Sequence, residues 1–352
     1  MVSKKRVGIL ACTGTVGQRF VEMLHNHPWF EVTTLMASER SAGEQYKKTV
    51  TWLFSDEIPG DIGDIVVEPT DPKKAKNVDL VFSALPSAVA KTVEKSFAEA
   101  GFPVVSNASA FRMDEDVPLI VSEINSDHLA ILDIQKERRN WTGCIATDPN
   151  CTTIPFAIVL KPILDAFGIR SVFMTSMQAL SGAGFPGVAS LSIHDNVIPY
   201  IGGEEEKVMR ETLKVLGKLT GAKVENANFK IAASCNRVSV VDGHLESVFI
   251  QTAKEIEIDE VKSILSQFKG LPQELQLPTA PKQPIIVREE VDRPQPRLDR
   301  LAGDGMSITV GRIRKGIDDY SLLLTLLGHN TLRGAAGAAL LIAETMTAKN
   351  LL

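Results

Sequence analysis

The chain has 352 residues and a formal net charge of −5, with 44% hydrophobic and 23% charged residues. This length allows two domains with substantial cores. The slightly acidic balance gives no basis for binding nucleic acid or an anionic membrane surface. No apolar stretch approaches the roughly 20 residues that span a bilayer, and the basic start Lys4-Lys5-Arg6 leads into glycine-containing turn chemistry, not a cleavage signature. We therefore expect a cytoplasmic protein with no membrane or nucleic-acid partner.

The first 150 residues alternate short β-rich apolar runs with helical patterns. The predicted strands are Val7–Ala11, Val32–Ala37, Leu80–Leu85, Val104–Asn107 and Cys144–Thr147, and the predicted helices are Val16–Asn26 and Ala88–Ala100. Strand and helix alternation of this kind predicts a parallel sheet covered on both faces.

Beyond Cys151 the pattern changes, because few helical patterns separate the later strands. A helix is predicted over Thr152–Phe167, an extended arm or loop over the proline-rich Leu277–Arg300, and an alanine-rich helix over Thr331–Leu352. The predicted strands are Ser171–Leu180, Phe229–Cys235, Val238–Thr252, Met306–Arg314 and Tyr320–Leu327. We expect a mixed, largely antiparallel sheet in an α+β domain.

A candidate dinucleotide loop follows the first predicted strand. Ala11, Gly14 and Gly17 occupy the three positions of a G-x-x-G-x-x-G pattern that opens the first helix. Small residues let the backbone approach a pyrophosphate, and the helix N-terminus offers unpaired N–H groups and the positive end of the helix dipole. Because position 11 is alanine, a plain strand-to-helix turn remains the alternative.

The end of the second predicted strand is where ribose recognition is expected. The sequence there is Ser38-Glu39-Arg40-Ser41, and two hydroxyls with an arginine suit a 2′-phosphate, which favours NADP. Glu39 could instead contact ribose hydroxyls, and Arg40 could be a solvated loop residue.

A candidate nucleophile, Cys151, lies where a strand run ends and a long helix begins. The four cysteines form no Cys-x-x-Cys pair and the six histidines are scattered, so we expect no metal site and free thiols. A helix N-terminus stabilises a thiolate, Thr152 or Thr153 is expected to assist the helix start, and the Asn150 amide can face an oxyanion. A buried cysteine at a domain junction is the alternative.

A partner for the thiol appears in Arg237-Val-Ser-Val-Val-Asp-Gly-His244. The Asp-Gly turn predicts an accessible His244, which suits an acid or base, while Arg237 could hold a carboxylate in a bidentate fork. Two glycine-rich strings, Gln178–Gly184 and Gly328–Gly337, suggest backbone that approaches a ring or another helix. Each string alone is weakly specific.

Together these motifs resemble the aspartate-semialdehyde dehydrogenase family, especially its archaeal and fungal branch. The similarity runs through T-G-x-V-G-Q-R-F, A-S-E-R-S-A-G, S-N-A-S-A-F-R-M-D-E-D-V-P-L, P-N-C-T-T, M-Q-A-L-S-G-A-G, S-C-N-R-V-S-V-V-D-G-H and G-H-N-T-L-R-G-A-A-G. It implies a Rossmann-type nucleotide-binding domain formed by residues 1–149 and 331–352. It also implies an α+β catalytic and dimerisation domain formed by residues 150–330, an architecture like that of glyceraldehyde-3-phosphate dehydrogenase, and a homodimer or homotetramer.

The resemblance also implies a role for each matching position. Cys151 would be the nucleophile, His244 the acid/base, Asn150 an oxyanion donor and Gln178 the residue that orients the acyl intermediate. Arg237 would bind the substrate carboxylate and Glu204 its amino group, while Arg112 and Lys207 would hold phosphate. The cofactor contacts would be Thr13, Gly14, Thr15, Val16, Ser38, Arg40, Ser41, Ser83, Leu85, Gly182 and Asn330. Glu204 and Lys207 would share one face of a helix, although a solvated charged face explains that string too.

The implied reaction is the NADPH-dependent reduction of L-aspartyl 4-phosphate to L-aspartate 4-semialdehyde through a Cys151 thioester, in the biosynthesis of lysine, threonine, methionine and isoleucine. The nearest alternative is an acyl-CoA reductase of the malonyl-CoA type with the same architecture. Ala11 and Glu44 depart from the family pattern, in which glycine and often lysine occupy these positions, so NAD remains open as a secondary cofactor.

Overall fold

The computed structural model describes residues 4–54 and 57–352, so the first three residues of the predicted nucleotide-binding domain lie outside the described part. Fourteen strands are present in this part: β1 Lys5–Leu10, β2 Phe30–Ala37, β3 Glu68–Pro69, β4 Leu80–Ser83, β5 Pro103–Ser106, β6 Cys144–Thr147, β7 Ile169–Gln178, β8 Lys218–Thr220, β9 Lys223–Glu225, β10 Lys230–Arg237, β11 His244–Thr252, β12 Ile285–Val287, β13 Ile308–Lys315 and β14 Ser321–Gly328.

The longer helices are α1 Thr15–Leu24, α2 Ser87–Glu99, α3 Ile131–Arg139, α4 Thr153–Phe167, α5 Glu204–Val215, α6 Ile258–Gln267 and α7 Gly337–Ala348. Shorter helical segments are Tyr46–Thr49, Gly60–Gly63, Pro72–Lys74, Ser122–Asn125, Ser126–Ala130, Leu180–Ala183, Ser190–Ile193, Leu271–Glu274, Pro296–Asp299 and Leu332–Ala336. Within the described ranges, no helix combines the length and the apolar character that crossing a membrane requires.

The first sheet has six strands in the order β3-β2-β1-β4-β5-β6, and all of its pairs are parallel. Its central strands are short apolar runs buried on both faces, as parallel strands under crossover helices must be. Apolar side chains of α1 and α7 pack in one cluster with those of β1 and β2. The predicted parallel sheet is therefore confirmed, and the C-terminal helix contributes to its core.

The second sheet has six strands in the order β10-β7-β11-β14-β13-β12. The pairs β7–β11, β11–β14 and β14–β13 are antiparallel, while β10–β7 and β12–β13 are parallel. This is the mixed, largely antiparallel sheet that the sequence predicts. Helix α4 carries an almost continuous apolar surface into the cluster beneath this sheet, and so joins the end of the first sheet to the second.

Three predictions of local structure are wrong in part. The predicted strand Val238–Thr252 is a strand only from His244, because Val240 and Val241 instead accept hydrogen bonds from the N–H groups of Leu180 and Ser181. The predicted arm Leu277–Arg300 contains β12 and a helical turn. The predicted helix over Thr331–Leu352 begins as a π-helical segment and becomes α-helical only at α7.

Candidate active site

Three predicted site residues form a row across the second sheet. Arg237 pairs with Gln178 in the β10–β7 register, and the β7–β11 register brings His244 beside Gln178. All three side chains are buried, so the accessibility of His244 that the Asp-Gly turn predicts is wrong: the imidazole turns into the sheet edge instead of into solvent. Because they sit at the ends of adjacent strands, the sheet itself sets the spacing between the imidazole, the amide and the guanidinium.

Cys151 and His244 are in direct contact, with the Cys151 sulfur 3.3 Å from Nε2 of His244. The other ring nitrogen, Nδ1, accepts a hydrogen bond of 3.1 Å from the backbone N–H of Ala179. A neutral imidazole that accepts at Nδ1 carries its proton on Nε2. The geometry therefore directs an N–H at the sulfur.

Burial determines the ionisation of this pair. Loss of solvent, assisted by the nearby Glu204 carboxylate, raises the pKa of Cys151 to about 12, against the opposing effect of Arg112 and Arg237. Burial lowers the pKa of His244 to about 3. In the protein without substrate the pair is therefore a neutral thiol beside a neutral imidazole, and not the preformed thiolate that the helix N-terminus suggests from sequence.

Asn150 holds the chain that carries Cys151. Its side-chain oxygen accepts from the N–H of Thr152 at 2.8 Å, and its Nδ2 donates to Oε1 of Glu204 at 2.9 Å. Asn150 thus stabilises the turn that leads into α4. The expected assistance from Thr152 or Thr153 is absent, because neither hydroxyl has a hydrogen-bond partner within the described ranges.

Arg112 lies in a buried network of charged groups. Its Nη1 is 3.1 Å from Glu211 Oε1, its Nη2 is 4.0 Å from Asp148 Oδ1, and Nη2 also donates to the backbone oxygen of Asn107 at 2.6 Å. Glu211 in turn accepts from the backbone N–H of Asn150 at 2.6 Å. Arg112 is therefore linked to the Cys151 segment through one carboxylate.

Glu204 and Lys207 both lie on α5, as their spacing predicts. Glu204 is buried at the first residue of the helix and contacts Asn150, whereas Lys207 is partly exposed one turn later. The structure brings Glu204 into the Cys151 network. The Lys207 ammonium forms no salt bridge with any residue that the structure describes.

The predicted dinucleotide loop faces a cleft. Ala11 ends β1 in the left-handed region with φ of 57°, Gly14 precedes α1, and a Cβ on Gly17 would lie 2.2 Å from the Ala11 carbonyl oxygen. A cleft of about 220 Å³ is lined by Thr15 of this loop together with Arg19, Phe54, Ser181, Gly184 and Thr331. The nucleotide loop thus faces the segment that follows Gln178.

The other predicted cofactor contacts differ in how accessible they are. Ser38 and Arg40 are exposed beyond the end of β2, Ser41 and Leu85 are partly buried, and Thr13 and Val16 flank the start of α1. Ser83 is fully buried, and its hydroxyl donates to Oε1 of Glu94 at 2.6 Å. Its hydroxyl is therefore already engaged within the protein.

Gly182 and Asn330 lie next to the reactive pair. A Cβ on Gly182 would be 2.8 Å from Arg237 Nη1 and 3.1 Å from His244 Cε1, so only glycine fits there without displacing a neighbour. The Asn330 amide accepts from the N–H of Gly243 at 2.9 Å and donates to the Ser181 hydroxyl at 2.7 Å. Asn330 therefore ties the turn before His244 to the Gly182 segment.

Comparison with known proteins identifies the family. Residues 6–132 match the model of the semialdehyde dehydrogenase NAD binding domain, and residues 160–333 match the model of the semialdehyde dehydrogenase dimerisation domain. An aspartate-semialdehyde dehydrogenase of Archaeoglobus fulgidus is 56% identical over 97% of both chains. The chain belongs to the aspartate-semialdehyde dehydrogenase family. The predicted resemblance is confirmed.

A solved structure and a second relative extend this comparison. The crystal structure of aspartate semialdehyde dehydrogenase with NADP from Candida albicans has a TM-score of 0.91 and 40% identity, and covers 99% of this chain and 100% of its own. A malonyl CoA reductase (NADP) of Metallosphaera sedula is 40% identical over 98% of this chain and 97% of its own length. The chain is thus similar to both archaeal and fungal members of the aspartate-semialdehyde dehydrogenase family. Its identity to the malonyl CoA reductase is lower than its identity to the archaeal member.

Sequence reasoning missed several residues of the network, namely Asn107, Asp148, Glu211 and Lys214. Asp148 adjoins the P-N-C-T-T motif, and Glu211 and Lys214 continue the spacing of Glu204 and Lys207 along α5. That spacing of three and four residues was the available signal, because it marks one helical face.

Proposed function

We propose that the protein is an NADP-dependent aspartate-semialdehyde dehydrogenase that reduces L-aspartyl 4-phosphate to L-aspartate 4-semialdehyde through a thioester on Cys151. The observation that carries the proposal is the 3.3 Å contact between the Cys151 sulfur and His244 Nε2, beside buried Arg237 and Glu204. A thiol, a proton-bearing imidazole, a cation and a carboxylate converge at one place. This combination suits an acyl substrate that also carries a carboxylate and an ammonium group.

The residue roles follow from these charges. Arg237 would bind the substrate carboxylate, and Glu204 would bind its ammonium group. Arg112 and Lys207 would face the phosphate from two sides of the pocket. Gln178 lies between Arg237 and His244 in the strand register, which supports its role in orienting the acyl group.

The nucleotide cleft fits NADP. The backbone around Gly17 leaves no room for a side chain. The N–H groups in the first turn of α1 lack intrahelical acceptors and can bind a pyrophosphate. Exposed Ser38 and Arg40 can contact a 2′-phosphate. Thr13, Gly14, Thr15 and Val16 would hold the pyrophosphate, and Ser41 would contact the ribose phosphate. Leu85 and the Ser83 backbone would contact the ribose. Gly182 and Asn330 would contact the nicotinamide end. When bound, NADPH supplies the hydride. The Candida albicans structure, which contains NADP, supports this choice.

The chain's own groups act in two stages. The Cys151 sulfur attacks the acyl carbon, the bond from that carbon to the phosphate oxygen breaks, and the thiol proton leaves with the phosphate. After reduction of the thioester, the carbon–sulfur bond of the thiohemiacetal breaks and the sulfur recovers a proton. His244 would act as the acid in this scheme through its Nε2–H, which is directed at the sulfur. The proton that the sulfur finally keeps comes from solvent, so the imidazole is neutral again at the end of the cycle. A second N–H on the Asn150 amide remains for the oxyanion.

The assay that tests this function follows NADPH formation in the reverse direction, from aspartate semialdehyde, phosphate and NADP. We expect activity with phosphate, weaker activity when NAD replaces NADP, and none when coenzyme A replaces phosphate. Cys151→Ala should abolish the reaction, since loss of a nucleophile removes several orders of magnitude in rate. Activity that requires coenzyme A would instead favour the malonyl-CoA type of reductase.

Three further expectations rest on the family. We propose a homodimer or homotetramer, which is supported by the dimerisation-domain match over residues 160–333. We also propose a cytoplasmic location and a place in the biosynthesis of lysine, threonine, methionine and isoleucine. Mass determination in solution tests the first of these.

A further inference from the structure

Helix α5 presents an alternating row of charges to the interior. Glu204, Lys207, Glu211 and Lys214 are spaced by three, four and three residues, so they lie on one helical face. Glu204, Glu211 and Lys214 are 6%, 2% and 5% exposed. Charged residues this deeply buried are rare unless they are paired, and the proposed function uses only the first two members of the row.

Glu211 joins two groups that lie far apart in the sequence. Its Oε2 accepts from the backbone N–H of Asn150 at 2.6 Å, and its Oε1 accepts from Nη1 of Arg112 at 3.1 Å. One carboxylate therefore sets the distance between the guanidinium and the chain that carries Cys151. A glutamine at this position would replace one of the two oxygens by an NH₂ group, which cannot accept from either donor.

Lys214 holds the other end of the arginine segment. Its Nζ donates to the backbone oxygens of Arg112, Asp114 and Val117 at 2.7, 2.8 and 3.0 Å. The backbone and the side-chain tip of Arg112 are thus both fixed by α5. The same helix carries Glu204, so substrate-facing groups and their supports form one rigid unit.

Glu211 also balances charge. Burial raises the pKa of Asp148 well above its usual range, although Arg112 opposes this. Burial disfavours the charged form of Arg112, but the Glu211 and Asp148 carboxyls outweigh it and raise the pKa of the guanidinium. The Arg112 Nε is buried and lacks a hydrogen-bond partner in the part of the chain that the structure describes. Glu211 lies 3.1 Å from the guanidinium and Asp148 lies 4.0 Å from it, so Glu211 is the nearer counter-ion of Arg112.

We propose that Glu211 is a positioning residue that holds Arg112 against the Asn150–Cys151 segment and limits the positive charge that this arginine presents to the thiol and the leaving phosphate. The leaving phosphate in this inference comes from the proposed function. The contacts of Glu211 with Arg112 and Asn150 are independent of that function. It predicts that removing the Glu211 charge makes the surroundings of Cys151 more positive.

The test compares two alkylating reagents of similar size. Cys151 is alkylated in the whole protein, without substrate or cofactor, by the anion iodoacetate and by neutral iodoacetamide, and the rates are read from modified peptides. Both reagents react with the thiolate, so the ratio of their rates cancels changes in ionisation or access and reports local charge. The matched control is Glu206→Gln, the same chemical change at an exposed position of α5.

We expect Glu211→Gln to raise the iodoacetate-to-iodoacetamide ratio by about tenfold, the effect of one pKa unit of local charge. Glu206→Gln should leave the ratio unchanged and Arg112→Gln should lower it. A ratio in Glu211→Gln equal to that of Glu206→Gln would overturn the proposal, because a merely structural role slows or speeds both reagents together.

A second variant keeps the test valid if Glu211→Gln does not fold. The double variant Arg112→Gln/Glu211→Gln buries a neutral pair, and its ratio should return to the wild-type value. A double variant that keeps the lowered ratio of Arg112→Gln would contradict the charge balance. Because no turnover is involved, failure of the proposed reaction would appear only in the NADPH assay and not in this ratio.

Discussion

Replacing Gly182 by alanine tests the packing around the reactive pair. The added Cβ would lie 2.8 Å from Arg237 Nη1 and 3.1 Å from His244 Cε1. Neither neighbour can move freely, because Arg237 Nη1 donates to the Ala179 oxygen at 2.6 Å and His244 is fully buried. The methyl group must therefore displace the guanidinium or the ring. Overpacking of this kind costs about 1–3 kcal/mol of stability, and a displacement of the two side chains that raised the activation barrier by the same amount would lower kcat/KM by roughly fivefold to 150-fold.

The assay for this variant is steady-state oxidation of aspartate semialdehyde, with thermal unfolding measured in parallel. Gly202→Ala is the matched control, since a Cβ there would meet only the Tyr200 hydroxyl at 3.9 Å. We expect Gly182→Ala to lose kcat/KM relative to the control and to unfold at a lower temperature, because the added methyl group strains the folded state. Equal kcat/KM in the two variants would refute the close contact among Gly182, Arg237 and His244.

Three other predictions follow from the same structure. Glu204→Gln should raise the rate of Cys151 alkylation by iodoacetamide about tenfold, because a carboxylate that raises the thiol pKa is lost, while kcat/KM falls; slower alkylation would contradict it. Ala11→Gly should raise the free energy of unfolding by up to about 1 kcal/mol, since φ is 57° there, whereas Ala88→Gly in α2 should lower it by about 1 kcal/mol; denaturant titration compares them. The pKa of His244 is lowered to about 3 by burial, so the unfolded chain takes up a proton below about pH 6.5 that the folded state does not; stability is present above that pH and lost as pH falls towards 3. The His244→Asn variant should therefore lose about 2 kcal/mol less than wild type between pH 7 and 5, and equal losses would refute the buried neutral imidazole.

Much of the first sheet could be predicted from the sequence because each strand is a short apolar run between turn residues. The predicted strand Cys144–Thr147 coincides with β6, and the other four differ from the structure by one or two residues at their ends. Val238–Gly243 was assigned wrongly because its β-branched residues have strand propensity, but they bond to the Leu180 segment instead. Tertiary contacts therefore override the strand propensity of that segment.

The residues of the site also divide into those that the sequence predicts and those that only the tertiary structure reveals. Cys151 and His244 belong to recognisable motifs, so the sequence predicts them. Glu211 carries no motif, and its partner Asn150 is 61 residues away. Its burial and its two donors depend on how α5 packs against the segment before α4, and no local pattern contains that information.

The balance between thiol and thiolate likewise depends on burial. The start of α4 predicts a stabilised thiolate, but the surrounding protein partly covers Cys151 and places the Glu204 carboxylate nearby, and both effects raise the pKa of the thiol. The helix dipole therefore does not by itself determine the ionisation of Cys151.

The central claim is that a thioester forms on Cys151, and intact-protein mass spectrometry tests it directly. The protein is incubated with aspartate semialdehyde and NADP but without phosphate, so that the acyl group cannot be released to its natural acceptor. We predict a mass increase of one aspartyl group that maps to Cys151, disappears on adding phosphate, and is absent from Cys151→Ser. An adduct on Cys12, Cys144 or Cys235, or reduction of NADP with no acyl adduct, would contradict the account.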